Sequence, residues 1–267
     1  MRAHLIQMDI AWEDKQANYE KAERLITRAS PDPGDFILLP EMFDTGFSFN
    51  VERTSDSNVA TLKFLAELAR DHGVYVQGAR TVLVPATSGV PNAENRATVI
   101  DPSGKALADY AKIHPFSLGK EHERFRGGSE VMTWKWGEGV NSLTVCPAIC
   151  YDLRFPELFR IGLSKGAQAY ALGASWPEAR AMHWRALLIA RAIENQAFVF
   201  GVNRTGKDPN LSYVGGSIAL GPRGEVLGEL GPEEAVLSVV VDPDEVRRWR
   251  EKFPAWRDGR LWGESAG

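Results

Sequence analysis

Apolar runs of strand length alternate with helical patterns in both halves of the chain, and that alternation restricts it to an α/β fold. Residues 4–10, 18–29 and 35–40 read as a β-α-β opening. A second helix is expected over 58–71, with Leu62, Leu65 and Leu68 on one face and Gly73 past its end, followed by a strand over 74–81. Segments 96–101 and 106–112 flank the turn Pro102-Ser103-Gly104-Lys105 and predict a hairpin. The second half repeats the alternation: strand 142–149, helix 156–165, strand 167–174, a long helix over 179–195 and strand 198–203. In the long helix Met182, Ala186, Ile189 and Ile193 recur at helical spacing, which predicts a core stripe. Segments 217–220, 226–227 and 235–241 complete the strands, and 244–252 is a terminal helix. Two similar halves imply two packed sheets.

At 267 residues the chain exceeds the usual single-domain size, yet α/β folds reach this length as one domain. Low-complexity linkers and short-period repeats are absent from the sequence, and the loops at 85–95 and 207–211 are too short to separate domains. One domain spanning 1–267 is therefore expected. Its segment 243–267, with bulky Phe253 and Trp256, should pack on that domain or on a second subunit. No run approaches bilayer length, and the acidic residues that follow the first short apolar run do not suit a signal peptide. Two cysteines suit a reducing compartment, so a cytoplasmic location is expected. A net charge of -4 argues against a nucleic-acid partner and leaves a small molecule.

Three strand segments end on residues with chemical potential: ILLPE on Glu41, DYAK on Lys112 and LTVCPAIC on Cys150. Strand ends in α/β folds are where ligands bind. Together the three supply a thiol nucleophile, a carboxylate to take its proton and an ammonium to hold the oxyanion that forms. Taken alone, each has a bland reading: free cysteine is commonly buried, and Glu and Lys are commonly solvated. Cys150 also precedes a helix start near Pro156, where backbone N–H groups favour a thiolate. Cys146, four residues earlier on the strand, lies on the order of 13 Å away at about 3.3 Å per residue, beyond disulfide reach. It reads as packing. The five His and two Cys show no zinc-ligand spacing, so no metal and no cofactor are expected.

With these residues in place, the sequence resembles the nitrilase superfamily of carbon–nitrogen hydrolases over nearly its whole length. LLPEMFDTGF looks like the family's glutamate motif, YAKIHPF its lysine motif and CYDLRFPELFR its cysteine motif, in the family's order. Further similarity in KEHERFRGG, GASWP, RAIENQAFVFGVNR and WREKFPAWRDGRL looks like the omega-amidase branch. That branch acts on terminal amides of 2-oxo acids, notably 2-oxoglutaramate and 2-oxosuccinamate, and releases ammonia. The resemblance implies a four-layer αββα sandwich, association into homodimers or larger homo-oligomers through αββα faces, and a second glutamate in the loop after the lysine. Glu121 matches that position, with Glu123 its local competitor.

The roles implied are Glu41 as general base, Cys150 as acyl carrier, Lys112 with the Tyr151 backbone N–H as oxyanion donors, and Glu121 as orienter of Lys112 or of the substrate. Arg154 is either a clamp for a substrate carboxylate or a brace for its own loop through Asp152 or Glu157. Phe43, Phe116 and Trp176 are candidates for an apolar wall. His114, His122, His183 and Trp184 read as structural, and Glu194 and Asn195 as anchors of a helix end. Competing activities are N-carbamoyl amidohydrolase, aliphatic amidase and nitrilase. Outside hydrolysis, an acyltransferase or a non-catalytic scaffold on the same fold is the alternative.

Overall fold

The computed structural model describes residues 1–260. The first half runs through β1 (Arg2–Gln7), α1 (Lys15–Ala29), β2 (Phe36–Leu38), α2 (Val51–Thr54), α3 (Ala60–His72), β3 (Tyr75–Leu83), β4 (Ala93–Ile100) and β5 (Ala106–Ala111). The second half comprises β6 (Trp134–Trp136), β7 (Leu143–Ile149), α4 (Pro156–Ser164), β8 (Ala169–Ala174), α5 (Ala181–Asn195) and β9 (Phe198–Asn203). It continues through β10 (Thr205–Lys207), β11 (Ser212–Val214), β12 (Ile218–Leu220), β13 (Val226–Glu229), β14 (Ala235–Val240) and α6 (Pro243–Lys252).

The strands form two six-stranded sheets, ordered β14-β1-β2-β3-β4-β5 and β13-β12-β9-β8-β7-β6, beside a small β10-β11 ribbon. In each sheet three parallel strands, β1-β2-β3 and β7-β8-β9, are flanked by antiparallel neighbours. Side chains alternate faces along a strand, and the apolar residues here fill both faces. Leu5, Phe36 and Leu38 meet Val145, Ala171 and Phe200 in the layer between the sheets. Ile6, Ile37 and Val76 point the other way, onto Leu25 of α1 and Leu65 of α3. On the second sheet Ala148, Tyr170 and Leu172 face Phe159 of α4 and Leu188 of α5. The layers are therefore helix, sheet, sheet, helix, the αββα sandwich that the resemblance implied.

The long helix buries a different face from the expected one. Trp184, Leu188, Arg191, Ala192 and Asn195 point inward, whereas Met182 is 72% and Ile193 54% exposed. Both faces of α5 carry apolar residues, so periodicity alone admits two solutions. Polar contacts select between them: the Trp184 indole N–H donates to the Gly216 carbonyl at 2.8 Å, and the Arg191 guanidinium to the Leu153 carbonyl at 2.8 Å. The strands β6, β10 and β11 are three residues long, too short to show a period, and the sequence did not signal them.

Of the terminal segment, α6 packs on its own chain, whereas Phe253 is 53% exposed. Val246 of α6 enters the core between the sheets, and Arg250 donates to the carbonyls of Ala167, Asn195 and Gln196. The expectation for 261–267 lies outside the described residues. Among the described residues no helix is long and apolar enough to cross a membrane.

One glycine lets the two sheets approach where β2 ends. A Cβ on Gly173 of β8 would lie 2.6 Å from the Leu39 carbonyl oxygen and 3.0 Å from the Glu41 amide nitrogen. Backbone atoms cannot swing aside as a flexible side chain can. Gly173→Ala is expected to lower unfolding free energy by about 1–3 kcal/mol, the usual cost of overpacking. Urea denaturation measures this, and an unchanged midpoint would show that the approach tolerates a methyl group.

Candidate active site

Glu41 lies just beyond β2, Lys112 just beyond β5, and Cys150 at the end of β7, where a 3-10 turn Cys150–Arg154 leads into α4. The fold brings these strand ends to one pocket, lined also by Phe47, Phe116, Tyr151, Arg154, Ser175, Trp176, Pro177, Arg180, Leu211 and Tyr213. Its empty space, mouth included, is about 420 Å³.

Lys112 is the centre of the polar network. Its ammonium donates to Glu41 Oε1 at 2.8 Å, to Glu121 Oε2 at 2.8 Å and to Glu121 Oε1 at 3.1 Å. All three side chains are buried. Burial works against the ammonium charge, but Glu121 and then Glu41 outweigh it, and the Lys112 pKa is raised. For Glu121, burial raises the carboxyl pKa most, and the pull of Lys112 does not fully offset it. Glu121 also accepts from the Phe116 amide at 2.6 Å, while the Glu123 side chain is 56% exposed and points away. The remaining Glu41 oxygen, Oε2, accepts from the Ser175 amide at 3.0 Å.

Asn95 completes this network and was not singled out from the sequence. Its Nδ2 donates to Glu41 Oε1 at 2.8 Å and lies 3.4 Å from Glu121 Oε1, and its backbone carbonyl accepts from the Lys112 amide at 2.9 Å. Two carboxylate oxygens beside one amide group fix which end carries the NH₂, since the flipped amide would set oxygen against oxygen. The available signal was a polar Asn-Arg pair inside a strand otherwise suited to burial. Ser175 lies in the quoted GASWP segment but carried no assigned role.

Cys150 has φ +44, a left-handed conformation that is costly for a non-glycine residue and recurs at functional sites. The 3-10 turn that follows is held by Asp152, which accepts from the Tyr110 hydroxyl at 2.7 Å and from the amides of Ile149 and His114, each at 3.0 Å. His114 Nδ1 lies 2.8 Å from the same carboxylate. The expected depression of the thiol pKa by a helix start is not found. Burial, then the Glu41 carboxylate, push the thiol well above its ordinary range, and Lys112 and the Ser175 N–H only moderate the rise. Cys146 and Cys150 are both free.

Arg154 lies over the Trp176 ring at 4.7 Å and the Tyr151 ring at 5.8 Å. Among the described residues no carboxylate comes within 4.0 Å of its guanidinium, and Asp152 is engaged by Tyr110 and His114 instead. The carboxylate that holds the loop, Asp152, does so without Arg154, whose Nη2 lies 3.5 Å from His183 Nδ1. Phe116 and Trp176 line the pocket; Phe43 does not. Met42 takes φ +45, and the chain turns there, sending Phe43 into the helix layer against Tyr19 and Phe64. Phe47 occupies the wall, with the Lys112 ammonium 5.4 Å from its ring centroid. His122 and His183 are exposed, and Trp184 belongs to the core. Glu194 and Asn195 make local bonds at the end of α5.

The sequence pattern of the carbon-nitrogen hydrolase family matches residues 2–251. The 2-oxoglutaramate amidase of Bacillus subtilis (strain 168) is 37% identical over 257 residues, which cover 96% of each protein. Among solved structures, XC1258 from Xanthomonas campestris is a CN-hydrolase superfamily protein with an arsenic adduct in its active site. It matches with a TM-score of 0.88 at 30% identity, covering 99% of this chain and 98% of its own. A mutant amidase from Nesterenkonia sp. AN1, with acrylamide added to its active-site cysteine, matches with a TM-score of 0.80 at 26% identity, covering 96% and 98%.

Replacing Lys112 by Met leaves two buried carboxylates without their cation. Breaking such a pair costs roughly 3–5 kcal/mol, and Lys112→Met is expected to lose that much stability at about pH 8. A carboxyl whose folded pKa is raised binds protons more tightly folded than unfolded, so stability is recovered as pH falls through that window. The loss should therefore shrink towards about pH 5 in urea unfolding. A loss independent of pH would assign the effect to packing.

Proposed function

The chain belongs to the carbon–nitrogen hydrolase family, and we propose that it is an amidase of the omega-amidase kind. In this reading it removes the terminal amide nitrogen of a small 2-oxo acid such as 2-oxoglutaramate as ammonia. The observation that carries the reading is the Lys112 ammonium bound to both Glu41 and Glu121 beside Cys150, in a pocket where Arg154 has no carboxylate partner among the described residues. The name of the Bacillus subtilis relative supports the substrate, and the cysteine adduct of the Nesterenkonia amidase supports the nucleophile.

A thiol held neutral by burial needs a base at the moment of attack. Glu41 takes the Cys150 proton, and the sulfur bonds to the amide carbon while the carbonyl electron pair moves to oxygen. Lys112 and the Tyr151 backbone N–H hold that oxyanion. As the tetrahedral species collapses, the C–N bond breaks and Glu41 returns its proton to the departing nitrogen, releasing ammonia and leaving a thioester. Glu41 then takes a proton from water, whose oxygen attacks the thioester. The C–S bond breaks, the acid leaves and the proton returns to Cys150. Glu121 keeps Lys112 in place throughout. Arg154 pairs with the substrate carboxylate, and Phe116 and Trp176 flank the carbon chain.

The enzyme acts as one domain without a cofactor, in the cytoplasm and as a homo-oligomer. Exposed Ile161, Met182 and Ile193 on α4 and α5 support an apolar contact between subunits on that helix layer.

Intact-mass spectrometry with 2-oxoglutaramate tests the mechanism. The wild type should carry an acyl adduct that Cys150→Ser lacks, and Glu41→Gln should lower kcat by about 10²–10⁴. Ammonia release by Cys150→Ala at the wild-type rate would overturn the mechanism. A panel of 2-oxoglutaramate, N-carbamoyl amino acids, simple amides and nitriles tests the substrate, and equal rates on the oxo acid and a simple amide would reject it.

A further inference from the structure

The pocket contains a second guanidinium with no role in the chemistry above. Arg180 lines the same pocket as Cys150 and Arg154. It comes from the 3-10 turn Glu178–Arg180 that leads into α5, a different element from the turn bearing Arg154. Its guanidinium lies 5.4 Å from the Phe116 ring centroid. Trp176 ties the two arginines to one wall: its ring lies under Arg154 at 4.7 Å, and its indole N–H donates to the Arg180 carbonyl at 2.8 Å. The Arg180 amide donates to the Pro177 carbonyl at 3.0 Å, which closes the turn.

Neither guanidinium has a carboxylate within 4.0 Å among the described residues, unlike Arg191, which meets Glu194 at 2.8 Å. Among the described pocket-lining residues only Glu41 is acidic, and its oxygens are held by Lys112, Asn95 and Ser175. Arg154 Nη2 lies 3.5 Å from His183 Nδ1, and the two cations, mounted on aromatic faces and without a carboxylate, keep further donors for an entering anionic group. One carboxylate is satisfied by one planar fork. A 2-oxo acid offers more: two carboxylate oxygens and, in conjugation with them, a third acceptor on the adjacent carbon. The matching 2-amino acid puts an ammonium there, which offers no acceptor and carries the same charge as the guanidinium.

We infer that Arg180 is a specificity-determining residue, acting with Arg154 to hold the carboxylate and adjacent oxo oxygen of a 2-oxo acid amide and to repel the ammonium of the corresponding 2-amino acid amide. This rests on the proposed omega-amidase reading and assigns the oxo-against-amino selection to a named side chain. Discrimination here needs no extra contact to the correct substrate alone, because an unpaired like charge penalises the wrong one.

The test compares wild type, Arg180→Gln and Arg180→Lys on 2-oxoglutaramate, glutamine and pentanamide, with thermal melting as a check on folding. Arg180→Gln should lower kcat/KM for 2-oxoglutaramate by about 10–100-fold, mainly through KM. The ratio of 2-oxoglutaramate to glutamine should contract by about tenfold or more, and pentanamide should lose less than either acid-selective measure. Arg180→Lys, which keeps the charge and loses the fork, should fall between wild type and Arg180→Gln. An equal loss on all three substrates, or an unchanged oxo-to-amino ratio in a folded variant, would overturn the inference alone. A wild type with no preference for the oxo acid over pentanamide would overturn the omega-amidase reading and this inference with it.

Discussion

Lys112 holds a buried ammonium, which survives only because three carboxylate oxygens stand within 3.1 Å of it. A buried unpaired cation would lose its proton or draw in water, and two buried carboxylates without the cation would not both ionise. Each member is tolerable only with the others. The backbone has to deliver them from separate places: the end of β2, the end of β5, the turn at Glu121 and, through Asn95, the start of β4. The Ser175 amide reaches Glu41 from beyond β8, in the other sheet. The network thus fixes the relation of the two sheets as well as the chemistry between them.

Close approach at that seam has local costs, and they are met by particular residues. Gly173 gives up a side chain so that the chain leading to Glu41 can cross β8. Met42 and Cys150 both adopt left-handed backbone angles that are unfavourable for their types, one on each side of the pocket. Around Cys150 the strain is offset by Asp152, whose two oxygens gather donors from Tyr110, His114 and Ile149. A nucleophile on such a turn presents its sulfur to the pocket while the preceding Ile149 stays in the core.

The layered fold and the strand-end location of Glu41, Lys112 and Cys150 were legible because alternation and strand termini are written in local sequence. Other features were not, for physical reasons. Phe43 and Phe47 are both aromatic residues after the same strand, and only the turn at Met42 decides which one reaches the pocket. On α5 two apolar faces compete, and the inward one is chosen by Arg191 and Trp184, whose partners lie far away in sequence at Leu153 and Gly216. Asn95 is 54 residues from Glu41, and its function exists only in the pairing of their side chains. Arg180 beside Glu178 in sequence looks like an ordinary solvated charge until the turn directs it onto Phe116.

The charges of the pocket are unequally satisfied. At the reacting end every donor of Lys112 is paired, so an incoming carbonyl oxygen must share a cation already committed to Glu41 and Glu121. Among the described residues no carboxylate commits Arg154 or Arg180 in this way, and an anionic end group gains there without displacing such an ion pair. Binding energy is therefore available away from the scissile bond, while the reacting groups are held by interactions that do not depend on substrate. Interactions remote from the chemistry raise the rate when they are used to seat the amide against the sulfur. A rigid Lys112 network and an unsatisfied guanidinium wall are complementary: one fixes where the reaction occurs, and the other decides which molecule is brought to it.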